Sequence, residues 1–125
     1  MSVLVDSSIW IEYFRGSLND EKFDFLIEEN LVVVNDLVLA ELIPALQVRR
    51  QRKLISLMRE IVCPPLELDW DDLIQMQITC LKHGINKVGI PDLMIAQHAI
   101  QNRLELYTRD KHFKLLAQHV SLSLH

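Results

Sequence analysis

The sequence predicts an α/β fold: a mainly parallel sheet covered by helices on both faces. Two short β-branched runs, VLV at residues 3–5 and LVVV at 31–34, are apolar throughout and read as buried strands. The segments around them carry apolar residues at helical spacing, so strands alternate with helices, the order that builds a parallel sheet. At 125 residues, half of them hydrophobic and 24% charged, the chain is long enough to bury a real core and reads as one domain over residues 1–125.

The elements follow in order. After the first strand, residues 8–15 place Ile9, Trp10, Tyr13 and Phe14 near helical spacing. Asn19 or Asp20 caps a second helix with Phe23, Leu26 and Ile27 on one face. The second strand, 31–34, leads to Asn35 or Asp36, either of which caps a helix reaching about Leu46. Residues 49–61 continue as helix. Residues 62–68 contain Pro64 and Pro65, so they hold only a short or edge strand. A helix over 69–83 ends at Gly84, a natural C-cap. Pro91 fits the first turn of a helix reaching about Asn102. Residues 104–108 are a strand, 110–119 a helix and 120–124 a last alternating strand.

Composition narrows the function. No apolar run reaches the roughly 18–20 residues that span a bilayer. The start of the chain has no basic region and meets Asp6 too early for a secretory core, so a cytoplasmic location with no membrane contact is expected. Cys63 and Cys80 form no C-x-x-C and no Cys/His cluster, which leaves zinc and redox chemistry without a basis; both are expected reduced and buried. The net charge of −4 argues weakly against broad nucleic-acid binding, although charge distribution counts for more than the sum.

The acidic residues carry the functional signal. In open α/β sheets, sites form outside the carboxyl ends of the strands. Asp6 ends the first strand, and Asp110 lies just past the LELYT strand. Asp92 opens a helix in IPDLMIAQHA, where the macrodipole favours a negative charge. Glu41 is the only charge in LVLAELIPAL, with no basic residue in helical reach on that stretch, so its partner must come from elsewhere in the fold. Each has a local use as well: Asp6 or Asp110 as an N-cap, Asp92 as a first-turn acid. Together, however, crowded carboxylates must take up protons or be neutralised by a cation. Oxygen-only ligands suit Mg²⁺ or Mn²⁺, which can polarise a phosphate and activate water.

VLVDSSIWIEYFRG, Glu41 in LAELIPAL, GIPDLMIAQHA and LYTRDKHF resemble, in order and spacing, the PIN-domain ribonucleases, and most of all the VapC toxins of VapBC toxin–antitoxin pairs. The resemblance covers nearly the whole chain. It implies a three-layer α/β/α sandwich and a Mg²⁺- or Mn²⁺-dependent endoribonuclease. Asp6, Glu41, Asp92 and Asp110 match the acidic quartet. Asp6 and Asp92 match the core metal ligands, Glu41 and Asp110 complete the first or second shell, and Ser7 and Thr108 match supporting hydroxyls. The chain departs at His112 and Ala96, where many relatives carry further acids, so a second metal is expected to bind weakly or only with substrate. His112 is either a ligand or proton shuttle, or a partly exposed first-turn residue.

The resemblance also implies partners: an RNA substrate, a second copy of the chain, and a VapB-like antitoxin that often inserts a basic side chain among the carboxylates. DNA would be met only through the antitoxin complex. Arg49, Arg50, Arg52 and Lys53, in RRQRK, are either a solvated helix face or a contact for RNA phosphates. Arg15, Arg103, Arg109 and Lys111 are further candidates. Trp10, Ile11, Tyr13 and Phe14 are more apolar residues than one short helix buries against one sheet face, and the surplus suggests an interface.

Three other readings compete. A phosphatase of the haloacid-dehalogenase type needs a second aspartate two residues after Asp6, where this chain has Ser8. A receiver needs an early acidic pair and a lysine after its last strand, and has neither here. A non-catalytic PIN-like binding module usually loses members of the quartet, all of which are present.

Overall fold

The computed structural model describes residues 2–125. Among them the elements run β1 (Val3–Val5), α1 (Ser7–Phe14), α2 (Phe23–Glu28), β2 (Val32–Val33), α3 (Asp36–Val48), α4 (Arg52–Glu60), α5 (Trp70–Lys82), α6 (Ile90–Gln101), β3 (Glu105–Tyr107), α7 (Lys111–Ala117) and β4 (Ser123–Leu124). The sheet is parallel in the order β2-β1-β3-β4, with Leu4 beside Val33 and Leu106, and Val5 beside Tyr107. β1 and β3 are therefore central. Crossovers between parallel strands are right-handed, which puts α1 and α2 on one face and α6 and α7 on the other. Ring contacts agree: Tyr107 of β3 meets Phe23 of α2, while His119, just past α7, stacks on His83 at the end of α5. The result is the expected three-layer α/β/α sandwich. No described helix is long and apolar enough to cross a membrane.

The core is one cluster that takes all of β1, Ile9 and Trp10 of α1, and Leu93, Ile95, Ala96 and Ala99 of α6. It contains two built-in polar pairs. Asn35 is fully buried; its Oδ1 accepts the Val38 N–H at 2.9 Å to cap α3, and its amide lies 3.2 Å from His98 Nδ1. Gln97, also buried, accepts from Asp69 N at 3.1 Å and donates to Asp69 O and to Asp72 Oδ2 at 2.9 and 2.7 Å. It ties the start of α5 to the middle of α6.

Several expected elements change. Residues 62–68 do not form a strand. Val62 makes one parallel bridge to Val33, and Pro64 and Pro65 then remove the donors a longer ladder needs. The last strand shrinks to two residues, and the helix expected over 49–61 begins only at Arg52. The cause is the end of α3. Arg50 is left-handed (φ 56°), with Arg50 N bonded to Gln47 O and Gln51 N to Leu46 O, a Schellman closure that turns the chain before α4. Cys63 is exposed, not buried; only Cys80 lies in the core.

Candidate metal and catalytic site

Topology gathers the carboxylates. A helix that follows a parallel strand starts at the sheet's carboxyl edge, and a helix that leads into one starts there too. α1, α3 and α7 follow β1, β2 and β3, and α6 leads into β3. Asp6 precedes α1, Glu41 lies in the second turn of α3, Asp92 in the first turn of α6, and Asp110 precedes α7. All four belong to one edge.

Asp6 is the most constrained. It is only 7% exposed, and its N–H donates to Tyr107 O at 2.9 Å, which extends the β1–β3 ladder by one bond. It stands at the N-cap of α1, yet its side chain makes no capping bond. Instead, Oδ2 accepts the Thr108 hydroxyl at 2.8 Å and the Ser8 hydroxyl at 3.0 Å. Those hydroxyls are oriented in turn: Thr108 Oγ1 accepts from Asp110 N at 3.0 Å, and Ser8 Oγ from Arg109 N at 3.1 Å. The β3–α7 turn thus fixes both donors on one oxygen of Asp6, and among the described residues no hydrogen bond goes to the other.

Asp92 is half-buried at N3 of α6, and its Oδ2 accepts from Gly89 N at 3.2 Å. That bond lowers its pKa, but desolvation outweighs it, and Asp110 and Asp6 push in the same upward direction, so the net shift is up. Glu41 is likewise raised, by desolvation first and then by Asp6 and Asp92, against a 3.4 Å hydrogen bond from Ser7. It is exposed although its neighbours in sequence are apolar, and it lines a cleft with Ile11 and Phe14 of α1. Asp110 does the work of a cap: Oδ1 accepts from His112 N at 2.9 Å and lies 2.7 Å from His112 Nδ1. His112 is partly exposed in the first turn of α7, with its ring turned to Asp110.

Sequence reasoning missed Ser8. It named Ser7 and Thr108 as supports, but Ser7 reaches Glu41 while Ser8 shares Asp6 with Thr108. The available signal was spacing: a hydroxyl two residues past a strand-end acid, at the start of a helix, turns back toward it.

Three of these carboxylates have no ion-pair partner among the described residues. The ion pairs among the described residues are Arg109–Glu12, His112–Asp110 and His125–Glu105, and none involves Asp6, Glu41 or Asp92. The donor set fits a hard divalent ion, with one Asp6 oxygen held by hydroxyls and the other free of donors among the described residues. No three of the described acidic, histidine or cysteine side chains already enclose an ion. Mg²⁺ does not require that, since it is usually held by one or two carboxylates and retains several waters.

The basic run divides. Arg49 lines a cleft of about 290 Å³ together with Glu41, Arg15, and the apolar Ile11, Phe14 and Leu54. Arg52 and Lys53 instead face a separate shallow surface with Ser56 and Glu60. Arg109 is held at 2.9 Å by Glu12, and Arg103 sits before β3, at the opposite edge of the sheet. Of the expected RNA contacts, Arg49 and Arg15 are those that line the cleft with Glu41. Replacing Arg49 with Gln is expected to weaken RNA binding and to reduce the log–log salt slope by up to about 0.7, the single-strand value per phosphate contact. Arg52→Gln with Lys53→Gln should leave the slope unchanged. Filter binding across a salt series checks both.

A family model described as the PIN domain matches residues 3–118. Among solved structures, the chain is similar to VapBC2 from Rickettsia felis bound to a DNA fragment of its promoter (21% identity, TM-score 0.79, covering 100% of this chain and 98% of that one). It is similar to VapBC-1 from nontypeable Haemophilus influenzae (22%, TM-score 0.71, 100% and 97%). It is also similar to Mycobacterium tuberculosis VapC20, a toxin that cleaves the sarcin-ricin loop (19%, TM-score 0.62, 98% and 99%). No curated protein matches the chain significantly in sequence.

Proposed function

The chain belongs to the PIN-domain family, and from that premise we propose that it is a Mg²⁺- or Mn²⁺-dependent endoribonuclease, the toxin of a VapBC-type pair. The observation that carries the reading is Asp6: a nearly buried carboxylate with one oxygen fixed by two hydroxyls and, among the described residues, no donor to the other oxygen and no ion-pair partner. A side chain that served only as a cap would bond the helix N–H groups, and this one does not.

Asp6 and Asp92 would hold the ion, with Glu41 and Asp110 completing its surroundings. When bound, the cation supplies Lewis acidity to the scissile phosphodiester and to the attacking water. The chain's own residues do the rest. Thr108 and Ser8 keep Asp6 from turning into the cap. Glu41, solvent-facing and with its pKa raised, accepts a proton from water at its carboxylate. Arg49 and Arg15 offset the repulsion between an acidic site and RNA. In-line attack by water leaves a 5′-phosphate and a 3′-hydroxyl. The cleft beside Glu41, apolar at Ile11, Phe14 and Leu54 and basic at its rim, suits an amphipathic segment of an antitoxin. The similarity to VapBC complexes supports that partner, and a second copy of the chain is proposed as well.

Adding Mg²⁺ or Mn²⁺ in excess over its Kd should raise the melting temperature by a few degrees, because a ligand of the native state relieves carboxylate repulsion. EDTA should reverse that shift and stop RNA cleavage. Cleavage that persists in EDTA contradicts the metal mechanism.

A further inference from the structure

One buried hydrogen bond decides the protonation state of a ring it does not touch. Asn35 Oδ1 accepts the Val38 N–H at 2.9 Å, and a backbone N–H can only donate, so the Asn35 amide is fixed with Nδ2 toward His98 Nδ1, 3.2 Å away. Nδ2 is itself a donor, so Nδ1 must accept. The ring is therefore neutral and carries its proton on Nε2. Both residues lie deep in the core, His98 at 1% and Asn35 at 0% exposure. Nε2 has no hydrogen-bond partner among the described residues, although the carbonyls of Pro65 and Pro64 favour a proton on the ring. Those prolines are anchored beside β2 by the bond from Val34 N to Val62 O, 2.9 Å.

We propose that His98 is an acid-sensitive latch on the first turn of α3: when the ring takes up a second proton, the Asn35 amide turns its oxygen to the ring and Val38 loses its cap. Protonated Nδ1 would face Nδ2 as donor against donor. Turning the amide replaces that clash with a charge-assisted bond from Nδ1–H to Oδ1, and the Val38 N–H then faces a donor. Asp36, in the first turn of α3, is the one charged side chain among the described residues that acts on the ring. Cys63, next to the two prolines, donates to Asp36 Oδ1 at 3.6 Å and is kept a thiol by burial and by Asp36. On α6 itself the residues one turn away, Met94 and Asn102, are neutral. Burial holds the ring below the ordinary histidine pKa, against the Pro65 and Pro64 carbonyls and Asp36, which raise it. The fold thus keeps neutral a group that the unfolded chain protonates, so stability is full above the unfolded pKa and falls as pH drops below it. The helix released is the one that carries Glu41. The inference stands without the nuclease reading.

The test is amide hydrogen exchange by NMR, expressed as protection factors so that the intrinsic pH dependence of exchange divides out. From about pH 7.5 to about pH 5, across the ordinary histidine range, Val38 protection should fall by about fivefold or more, the scale of a lost N-cap. The Asp72 N–H, capped by Asp69 Oδ1 at 3.1 Å in the same manner, should keep its protection. Ring ¹⁵N shifts at neutral pH should show the Nε2–H tautomer. His98→Gln leaves an acceptor toward Asn35 that does not titrate, and should hold Val38 protection constant. Glu41 and Asp92 titrate alike in both proteins, so the difference between them isolates the ring. Asn35→Ser caps α3 with a hydroxyl and has no amide to turn, and should give the same constant protection. An Nδ1–H tautomer at neutral pH, Val38 protection that falls no further than that of Asp72, or a fall that persists in both variants would each overturn the proposal.

Discussion

Asp6→Asn is expected to reduce RNA cleavage by at least about 100-fold, the scale on which one group acting in the transition state is lost, while leaving the fold intact. Asn is isosteric, and its carbonyl oxygen can accept from Ser8 and Thr108 as Oδ2 does now. What disappears is the negative charge on the oxygen with no protein donor. Asp92→Asn should have a similar effect and still receive the Gly89 N–H. If the two carboxylates hold one ion, the double variant should be little worse than either single one, because groups that act as a unit are non-additive. Multiplicative losses would mean that the two residues act separately.

Glu41→Gln should lower cleavage strongly, by on the order of 100-fold, and raise stability in the absence of metal. The sign follows from linkage. The pKa of Glu41 is raised in the folded state, so above it the native protein carries a repulsive charge that the unfolded chain tolerates better. That cost is present at neutral pH and vanishes as pH falls through the folded pKa. The Gln variant should therefore melt at a higher temperature than the wild type at neutral pH, and the difference should close on acidification. Asp92 is shifted in the same direction and gives the remaining protein the same trend. A Gln variant that melts lower at neutral pH would mean that Glu41 has a stabilising partner, contrary to its having no ion pair among the described residues.

The placement of Asp6, Asp92 and Asp110 was legible because strand runs and helix starts are local signals, and in a parallel sheet both fall on one edge. Asn35, Asp69 and Asp110 cap as their chemistry suggests, each accepting a backbone N–H from the first turn. Helix ends were less legible. Five close in the same left-handed manner, at Gly16, Asn30, Arg50, Gly84 and Arg103, and only Gly16 and Gly84 carry the glycine that announces it. Because Arg50 hides such an end, RRQRK looked like one helix face when its residues divide between two surfaces. The exposure of Glu41 was illegible for a different reason: its neighbours in sequence are apolar, but whether a helix residue meets protein or water depends on how α1 and α3 pack. Ser8 was overlooked because two adjacent serines compete for one carboxylate, and only the β3–α7 turn decides between them.

The most direct measurement is sequencing of 5′-monophosphate RNA ends after a short induction of the chain and of Asp92→Asn at equal soluble yield. The wild type should create new 5′-phosphate ends and arrest growth, and Asp92→Asn should do neither. The same ends and the same arrest from both proteins would contradict the assignment of a metal-dependent ribonuclease to this carboxylate site.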